Sequence, residues 1–440
     1  MKNKLLIIML FFFMIPLFSS PQEPVFIDGI LIQGYDVAGL TDLQAKEKLT
    51  PFIKEILNQN IIVISPDRKQ VWITSYQEMG LEIDLEKAIL EGLDKGNKGL
   101  FLKRWWDILK IKREKHNIPL KLQINHRIAV ENIIRLTKSL VKDPQEARIT
   151  INSQNKVIII PDISGIGIDL ESILNQLETN LKLQGPLNVV IKTKEIKAKL
   201  TSEDIRKMNV ETLLGQFTTW FNPQKKNRSQ NIKKAAQALD EFLLEPGEEF
   251  SFNEIVGPRT KEAGYNDAPI ILNNQFVEGI GGGVCQVSST LYNVLLRANL
   301  LVTERHPHSL PIRYVPKGMD AAVVYGLKDL KFLNNTQGYI FFKTYVGQGA
   351  LTMKIFGAIQ EDQEVEIISI VEKTFTPETI FKNKPDLLIG QIIVEQQGAQ
   401  GYIVRVERII RDNKKNILMQ EILTRDYYPP VNKIILTAKH

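Results

Sequence analysis

The chain has 440 residues, more than one domain usually holds, and its length predicts about three folding units. Hydrophobic residues make up 43% and charged residues 24%, a composition that excludes a disordered chain and a polytopic membrane protein. Lys and Arg total 56 against 50 for Asp and Glu. The resulting net charge of +6 suits an anionic cell surface and does not indicate nucleic acid as a partner.

Residues 1–20 have the pattern of a secretory signal. Two lysines precede the apolar run from Leu5 to Phe18, which is short for a membrane span. Pro21 follows Ser20, and no small-x-small cleavage site is present, so the segment is either a signal peptide or a retained anchor that attaches the chain to a membrane. We therefore expect an extracytoplasmic protein of the cell envelope, secreted or anchored at its N-terminus.

Residues 25–200 contain two similar segments after a first helix that is predicted to begin near Thr41. In each segment two short strands lead to a glycine, then to Ile-Asp-Leu-Glu and a helix. The strands are predicted at 61–64, 71–73, 149–151 and 157–160. Asp84 and Asp169 are the predicted caps of the two helices, and the shared pattern predicts a tandem pair of β-β-helix repeats.

This repeated unit resembles the peptidoglycan-binding repeats of exported Gram-positive proteins. The resemblance implies that residues 25–200 bind peptidoglycan or a cell-wall peptide. In the residues themselves, no aromatic cluster or convergent set of polar groups identifies a ligand. Trp105 and Trp106 lie between the copies, and we interpret them as packing or surface-contact residues instead of a sugar platform.

Residues 201–360 are predicted to form a central domain of helices and antiparallel sheet. A linker or short helix at 201–208 precedes a strand at 216–221 and a helix that begins at Ser229 and stops at Pro246-Gly247. A second helix is predicted directly behind Cys285, because apolar residues recur there at three- and four-residue spacing in an amphipathic pattern. Further strands are expected at Val315, 321–325, 330–333, 339–345 and 351–356, which makes an α+β arrangement.

Cys285 is the only cysteine in the chain and follows a glycine run at the predicted helix N-terminus. There the helix dipole and the unpaired backbone N–H groups favour a thiolate, which is the nucleophilic form. A buried structural cysteine is the alternative. In an exported protein, a solitary cysteine has no partner for an intrachain disulfide, so it pairs with another molecule, stays inert or reacts.

The stretch from Phe217 to about Gly357 resembles the VanW family, which is named from a vancomycin-resistance cluster. The motifs that carry the resemblance are Asn227-Arg228, Pro246-Gly247-Glu248, Phe250-Ser251-Phe252-Asn253, Gly257-Pro258-Arg259-Thr260, Gly281 to Asn293, Glu304-Arg305, His308-Ser309, Tyr325-Gly326 and Asp329-Leu330. The family name supplies no reaction mechanism.

Residues 361–440 are predicted to form a small all-β module. Alternating residues at 402–406 and glycines at Gly390, Gly398 and Gly401 support this prediction. The segment resembles the G-five module of surface proteins, a resemblance that implies contact with wall sugars or a role in adhesion. The full chain is therefore predicted to be a multidomain α+β protein.

A cysteine nucleophile requires a base and a group that orients the base. His308 is the better candidate base because it belongs to the family's His-Ser pair, and His306 is interpreted as a surface or turn residue near the substrate. Asp320 is the nearest carboxylate on a predicted neighbouring strand and is the candidate orienting group. The order Cys, His, Asp matches transglutaminase-like and papain-like folds, which is an analogy at the level of fold.

Other residues near Cys285 are candidate substrate contacts. The backbone N–H groups of Cys285 and Gln286 form a candidate oxyanion hole, with the Gln286 side chain assisting. Arg259 and Arg305 either bind a substrate carboxylate or stabilise loops. Gly282 and Gly283 either line the site or only allow close backbone approach. Ser288 is a candidate contact that lacks the spacing of a serine nucleophile.

A zinc site at Cys285, His306 and His308 would lack a fourth ligand, so we predict no metal and no cofactor. The first hypothesis is a peptidase- or transpeptidase-like enzyme that catalyses acyl transfer or hydrolysis on a wall peptide, with Cys285 as nucleophile. The second is a non-catalytic envelope protein that binds peptidoglycan through linked sites. The sequence does not decide between them, and it does not indicate an oligomeric state.

Overall fold

The structure is a computed structural model that describes residues 23–95, 101–183, 185–272, 275–359, 363–388 and 390–438. The predicted signal or anchor at 1–20 lies outside these residues. Among the described residues, no helix is both long enough and apolar enough to span a bilayer. The chain forms two compact units, of which the first contains residues up to Pro144 and Ser164–Lys197, and the second contains Gln145–Ile163 and residues from Ala198 onward.

Helices occur in both units. In the described chain they are α1 (Asp42–Leu57), α2 (Leu85–Asp94), α3 (Phe101–Glu114), α4 (His126–Thr137), α5 (Leu170–Thr179), α6 (Ser202–Lys207), α7 (Lys226–Leu239), α8 (Phe252–Val256) and α9 (Val284–Arg297), with a 3₁₀ turn at Lys138–Leu140.

Strands alternate with these helices and dominate the C-terminal part. Those up to residue 200 are β1 (Ile30–Ile32), β2 (Tyr35–Asp36), β3 (Asn60–Ile64), β4 (Val71–Ser75), β5 (Leu81–Ile83), β6 (His116–Ile118), β7 (Leu122–Ile124), β8 (Arg148–Ile151), β9 (Val157–Ile160), β10 (Gly165–Ile168), β11 (Leu187–Val190) and β12 (Thr193–Ile196). The later ones are β13 (Thr212–Trp220), β14 (Leu243–Leu244), β15 (Glu249–Ser251), β16 (Asp267–Leu272), β17 (Gln275–Ile280), β18 (Leu301–Glu304), β19 (Lys331–Leu333), β20 (Ile340–Gly347), β21 (Ala350–Gly357), β22 (Gln363–Phe375), β23 (Thr379–Asn383), β24 (Ile392–Gln396), β25 (Gly401–Asp412), β26 (Ile417–Tyr428) and β27 (Lys433–Thr437). The mixture of helices and sheets confirms the predicted α+β class.

The first unit combines small sheets with capped helices. β1 pairs with β2 and β6, and β3 pairs with β4 and β11, so each sheet contains one parallel pair. The side chains of Thr41, Asp84 and Asp169 accept hydrogen bonds from the first turns of α1, α2 and α5. The predicted caps Asp84 and Asp169 and the predicted helix start near Thr41 are confirmed, because each side chain satisfies a backbone N–H that has no partner within its helix. Trp105 and Trp106 on α3 are 53% and 67% exposed, as a surface contact requires.

The second predicted repeat is divided between the two units. Its hairpin of β8 and β9 belongs to the second unit, whereas β10 and α5 belong to the first. Ala147 and Ile149 are buried in a cluster with Ile205, Phe341 and Phe356, all from the second unit. Both copies form the predicted elements, but the structure does not confirm a self-contained tandem repeat.

The second unit has an antiparallel sheet in the order β13–β21–β20–β14. α9 packs against β13 and β21, and α7 packs against β20 and α9. The apolar residues between them form the core: Ile232, Ala235, Leu239, Val287, Leu291, Val294, Leu295, Phe342, Leu351, Met353 and Ile355. This packing fixes the position of α9, and therefore of the residues in its first turn, against the sheet.

α9 is buried on all sides, although its sequence pattern predicts an amphipathic helix. The predicted apolar face, which includes Val287 and Leu291, lies in the core. The remaining surface carries buried polar side chains that donate to backbone carbonyl groups: Ser288, Ser289, Thr290 and Asn293. Apolar periodicity does not reveal this burial, because hydroxyl and amide side chains are tolerated in a core when they are hydrogen-bonded.

Two strand predictions and both bounds of one helix are wrong. Val315 and residues 321–325 lie in irregular backbone, in a segment that Pro307, Pro311 and Pro316 interrupt. Proline lacks the N–H that a central strand requires. α7 begins three residues before the predicted Ser229 and ends before Pro246, because Glu241 adopts a left-handed φ of 62°.

The described residues from Gln363 onward form two three-stranded sheets, which agrees with the predicted all-β character. β22, β25 and β26 form an antiparallel sheet, and β23, β27 and β24 form a mixed one. They belong to the same compact unit as the described residues from Ala198 to 359. The segment boundaries predicted at residues 200 and 360 stay predictions.

Candidate active site

The glycine run before Cys285 joins β17 to α9 in a tight turn. Gly281 and Gly283 have φ angles of 85° and 111°, in the left-handed region that disfavours side chains. A Cβ atom on Gly282 would lie 2.5 Å from the backbone oxygen of Ala268. Backbone geometry alone therefore requires these glycines, and the turn leads directly into α9.

Cys285 is the second residue of α9 and is partly exposed, which confirms its predicted place at a helix N-terminus. The positive end of the helix dipole stabilises negative charge on its sulfur. The Sγ atom lies 3.6 Å from the backbone oxygen of Val323. Cys285 is thus in position to carry a thiolate at the edge of a buried core.

His308 and Asp320 meet in a buried contact close to Cys285. Nδ1 of His308 lies 2.6 Å from Oδ2 of Asp320, and the backbone N–H of His308 donates to the same oxygen at 2.7 Å. An ionised carboxylate can only accept hydrogen bonds, so Nδ1 carries the proton in this contact. Nε2 is then the ring nitrogen that remains for the hydrogen bond with Cys285. Asp320 does not lie on the strand predicted for it, yet the structure brings all three predicted catalytic candidates together.

The electrostatics of this contact favour a thiolate and an imidazolium. Burial raises the pKa of the Cys285 thiol, but the hydrogen bond with His308 and the charge of His308 outweigh burial and leave the pKa below its ordinary value. Burial lowers the pKa of His308, but hydrogen bonds with Asp320 and Cys285 raise it to about 9. Burial raises the pKa of Asp320, whereas His308 and Arg305 bring it below its ordinary value. The lowered pKa of Cys285 and the raised pKa of His308 therefore both favour the charged pair beside an ionised Asp320.

Asp320 is held in place by residues from β26. The Tyr428 hydroxyl donates to Oδ1 of Asp320 and accepts a hydrogen bond of 2.9 Å from the Gly318 N–H. Arg305 donates through Nη1 to both carboxylate oxygens of Asp426 at 2.7 Å and through Nε to the backbone oxygen of Asp320 at 2.6 Å. The side chains of Arg305, Asp426 and Asp320 are only 6%, 8% and 1% exposed. The orienting carboxylate thus belongs to a buried cluster of paired charges.

Three predicted substrate contacts lie away from the cavity beside Cys285. Arg305 uses Nε, Nη1 and Nη2 as donors to groups of the protein itself, so it stabilises a loop instead of binding a ligand. His306 pairs with Glu304 at 3.0 Å. Ser288 is buried and donates to the backbone oxygen of Ala321 at 2.7 Å.

Gln286 lines the cavity, but its polar groups are engaged within the protein. Its Oε1 accepts from Nη2 of Arg228 at 2.7 Å, and its Nε2 donates to Oγ1 of Thr219 at 3.0 Å. Its backbone N–H donates to the backbone oxygen of Gly283 at 3.0 Å. This geometry contradicts the predicted oxyanion role of Gln286 and makes its side chain a support for Arg228.

An open cavity of about 720 Å³ lies over Cys285. Gly282 and Gly283 line it as predicted, together with four cationic residues: Lys225, Arg228, Arg259 and Lys328. Apolar side chains form another part of the wall: Ile270, Ile271, Ile280, Ile312 and Val323. Among the described residues, no Asp or Glu lines this cavity. The site therefore combines a nucleophile with positive charge and apolar surface.

Arg259 is positioned by a buried polar network. Its Nη1 donates to Oδ1 of Asn253 at 2.7 Å, and the backbone N–H of Asn253 donates to Asp329 at 2.9 Å. The guanidinium carbon lies 5.5 Å from the Phe252 ring centre and 6.0 Å from that of Tyr325. Nη2 of Arg259 is buried and has no hydrogen-bond partner in the part of the chain that the structure describes.

Sequence reasoning missed two residues that line the cavity. Arg228 was visible only as half of the Asn227-Arg228 pair in the family resemblance, and no local pattern assigned it to Cys285. Tyr314 follows no motif, yet burial and the charge of Cys285 raise its pKa well above the ordinary value. Among the described residues, no group of His, Cys, Asp and Glu is arranged to hold a metal ion.

Comparisons with known proteins show the family to which the chain belongs. The "VanW like protein" family matches residues 227–356, and the "Putative peptidoglycan binding domain" family matches residues 72–189. A protein of Bacillus subtilis strain 168 is 34% identical over 250 residues, which cover 56% of this chain and 81% of that protein. The chain therefore belongs to the VanW-like protein family, and its peptidoglycan-binding segment gives it a cell-wall-associated role.

The Bacillus subtilis relative is described as "Uncharacterized protein YoaR". "Vancomycin B-type resistance protein VanW" of Enterococcus faecalis is 36% identical over 115 residues, which cover 25% of this chain and 42% of that relative. Among solved structures, "IgA1 Protease G5 domain structure" matches 18% of this chain and 94% of its own at 22% identity, with a TM-score of 0.15. "Crystal structure of HP0197-G5" matches 18% of this chain at 13% identity, with a TM-score of 0.12.

Proposed function

We propose that this chain is a cell-envelope enzyme in which Cys285 attacks an amide carbonyl of a wall peptide. The observation that supports the proposal is the alignment of Cys285, His308 and Asp320 at the floor of an open cavity. A nucleophile, a base within reach and a carboxylate that orients the base form the standard set for nucleophilic catalysis. The reaction is acyl transfer or hydrolysis.

In the first step the thiolate of Cys285 forms a bond to the carbonyl carbon. The His308 imidazolium gives its Nε2 proton to the leaving nitrogen, the carbon–nitrogen bond breaks, and an amine departs. A thioester and a neutral imidazole remain. In the second step His308 takes a proton from water or from an acceptor amine, which attacks the thioester and regenerates the thiolate. Water gives a carboxylic acid, and an amine gives a new amide.

Negative charge on the carbonyl oxygen requires stabilisation during both steps. The N–H groups of Val284 and Gln286 donate to the backbone oxygens of Gly281 and Gly283, so neither serves this purpose. We assign the role to the backbone N–H of Cys285 in the first turn of α9, where N–H groups lack carbonyl partners within the helix.

A non-catalytic peptidoglycan-binding protein is the second candidate, and the match of residues 72–189 to a peptidoglycan-binding family favours it. Here Cys285 would be a structural residue of α9. The two candidates differ in one measurable property, which is the formation of a covalent product from wall peptides.

The test incubates the full chain and its Cys285→Ala variant with peptidoglycan fragments and follows products by mass spectrometry. We expect products from the native protein and none from the variant, while both bind the fragments. Hydrolysis adds one water to the fragment, and transfer to an amine joins two fragments. Equal binding by both proteins with no product from either would support the binding protein and reject the enzyme.

A further inference from the structure

We propose that the cavity over Cys285 selects an acyl donor that carries a free carboxylate, and that Arg259 and Arg228 bind this carboxylate. The inference rests on the proposed function, because it names the substrate class of the same site. It is carried by the placement of the charged groups around the cavity.

The cavity wall carries an excess of positive charge, which the Cys285 thiolate and Asp329 offset only in part. Lys225, Arg228, Arg259 and Lys328 line it, and no carboxylate side chain among the described residues does so. Arg305 in the same unit is different, because its buried guanidinium group is paired with the carboxylate of Asp426. Positive charge that is held in a partly buried wall and only partly balanced raises the free energy of the unliganded site. An anionic ligand removes this cost.

Arg259 has the better geometry for a carboxylate. Nη1 of Arg259 donates a hydrogen bond to Asn253, whereas Nη2 is buried and has no hydrogen-bond partner in the described chain. The Phe252 and Tyr325 rings hold the plane of the guanidinium, so its orientation is set before a ligand binds. Arg228 is held in turn by Gln286, the residue that follows the nucleophile. Guanidinium groups remain protonated at neutral pH and suit the planar, two-oxygen shape of a carboxylate.

The positive wall continues into an adjoining groove. The two cavities adjoin, because they share five lining residues: Lys225, Arg228, Gln286, Ile312 and Tyr314. The groove adds Arg313 and Lys317 and reaches Tyr402 of β25, again with no Asp or Glu in its described lining. The ammonium group of Lys317 lies 4.5 Å from the centre of the Tyr402 ring. A peptide with more than one carboxylate therefore fits this path better than a neutral peptide does.

Two alkylating reagents of similar size test the proposal without any need for turnover. Iodoacetate carries a carboxylate and iodoacetamide does not, and Cys285 is the only cysteine in the sequence, so one added mass reports one site. The measured quantity is the rate constant for iodoacetate divided by the rate constant for iodoacetamide. We expect Arg259→Met to lower this ratio by about tenfold, because one charge-assisted hydrogen bond to the reagent is lost.

Arg127→Met is the matched control, since Arg127 is an exposed residue of α4 that pairs with Glu131 and does not line the cavity. We expect it to leave the ratio unchanged. An unchanged ratio in both Arg259→Met and Arg228→Met overturns the proposal. If Cys285 reacts with iodoacetamide no faster than a free thiol does, the proposed enzyme is contradicted. The ratio of the two alkylation rate constants then still tests whether Arg259 and Arg228 bind a carboxylate.

A second measurement uses only the native chain and so does not depend on the folding of a variant. N-acetylalanine, its carboxamide and inorganic phosphate are compared as protectants of Cys285 against iodoacetamide. We expect N-acetylalanine to protect at a concentration at least about tenfold lower than its carboxamide does, because the carboxamide lacks one charged contact with the arginines. Equal protection by the two, or stronger protection by phosphate than by N-acetylalanine, overturns the proposal.

Discussion

The two sides of Cys285 use their arginines in opposite ways. Behind His308, Arg305 is buried and paired with Asp426 and Asp320, so the charges balance within the protein. Across the cavity, Arg259 and Arg228 face a wall that has no carboxylate among its described residues. The comparison teaches that a balanced cluster positions the base, whereas an unbalanced one is available to a ligand. Each substitution predicted below changes a residue on one side of Cys285 and leaves the residues on the other side unchanged.

The largest expected effect follows from Asp320→Asn. The amide does not hold Nδ1–H of His308 as the carboxylate does, so the ring loses its orientation and its stabilised charge. We expect the rate of the proposed acyl transfer to fall by about 10⁴-fold, as in other triads that lose this carboxylate. Product formation by mass spectrometry measures the rate, and denaturant unfolding verifies the fold. A loss smaller than tenfold in a folded variant would show that Asp320 does not orient the base.

The next effect concerns stability and follows from Arg305→Met. The substitution leaves the carboxylate of Asp426 buried without its partner, which costs about 3–5 kcal/mol of unfolding free energy. Arg425→Met is the control, because Arg425 lies beside Asp426 on β26 and is 66% exposed in its pair with Glu372. We expect this substitution to cost about 1 kcal/mol of unfolding free energy or less. Urea unfolding compares the two variants, and equal losses would contradict a buried, balanced cluster.

The pH dependence of alkylation distinguishes a thiolate from a thiol. The lowered pKa of Cys285 keeps the thiolate present as pH falls below the range of a free cysteine, until the pH passes the lowered value. A thiol with the ordinary pKa loses about 99% of its thiolate between pH 10 and pH 6.5. We expect the native rate with iodoacetamide to be much less dependent on pH over this range than that of His308→Ala. Identical profiles for the two proteins would remove His308 from the site.

The glycine turn gives a smaller effect on stability. In Gly282→Ala the new methyl group meets the backbone oxygens of Ala268 and Pro269 at 2.5 and 2.6 Å, which we expect to cost about 2 kcal/mol. Gly347→Ala is the control, since no atom outside the adjacent residues lies within 4 Å of the added carbon. Thermal unfolding of both variants provides the comparison. A neutral Gly282→Ala would mean that the turn relaxes freely.

Tyr428→Phe gives the smallest effect. It removes a hydroxyl that donates to Asp320 and accepts from Gly318, and we expect a loss of about 1 kcal/mol in stability. The pKa of His308 should rise, because the carboxylate that faces it loses a competing donor. Tyr427→Phe is the neighbouring control, with an exposed ring (56%). NMR titration of the His308 ring reads the pKa, and the same shift in both variants would exclude Asp320 as the link.

Local sequence signals predicted part of this site and could not predict the rest. The helix behind Cys285 and the caps at Asp84 and Asp169 follow from spacing within a few residues, and the nearness of His308 was expected because the chain turns back after that helix. Tyr428, in contrast, contacts Asp320 across 108 residues of sequence. No periodicity marks such a pair, because it depends on how the C-terminal sheet packs. Arg228 and Tyr314 were missed for the same reason.

The role assigned to Arg305 shows a second limit. An arginine beside a candidate histidine is compatible with binding a ligand and with pairing inside the protein. Only the position of Asp426, 121 residues later, decides between them. The class α+β was predictable because helical and strand periods are local. The division of the second β-β-helix copy between two units was not, since both copies share one local pattern.

The distance in sequence between Asp320 and Tyr428 has a consequence for biosynthesis. During synthesis Cys285, His308 and Asp320 all emerge before the strand that carries Asp426 and Tyr428. Until β26 pairs with β25, Arg305 and Asp320 lack these two partners. In a partly made chain the charges of Arg305 and Asp320 are therefore not yet paired as they are in the folded unit. Under the proposed function, we expect the orientation of His308 to be completed only when the C-terminal sheet is in place.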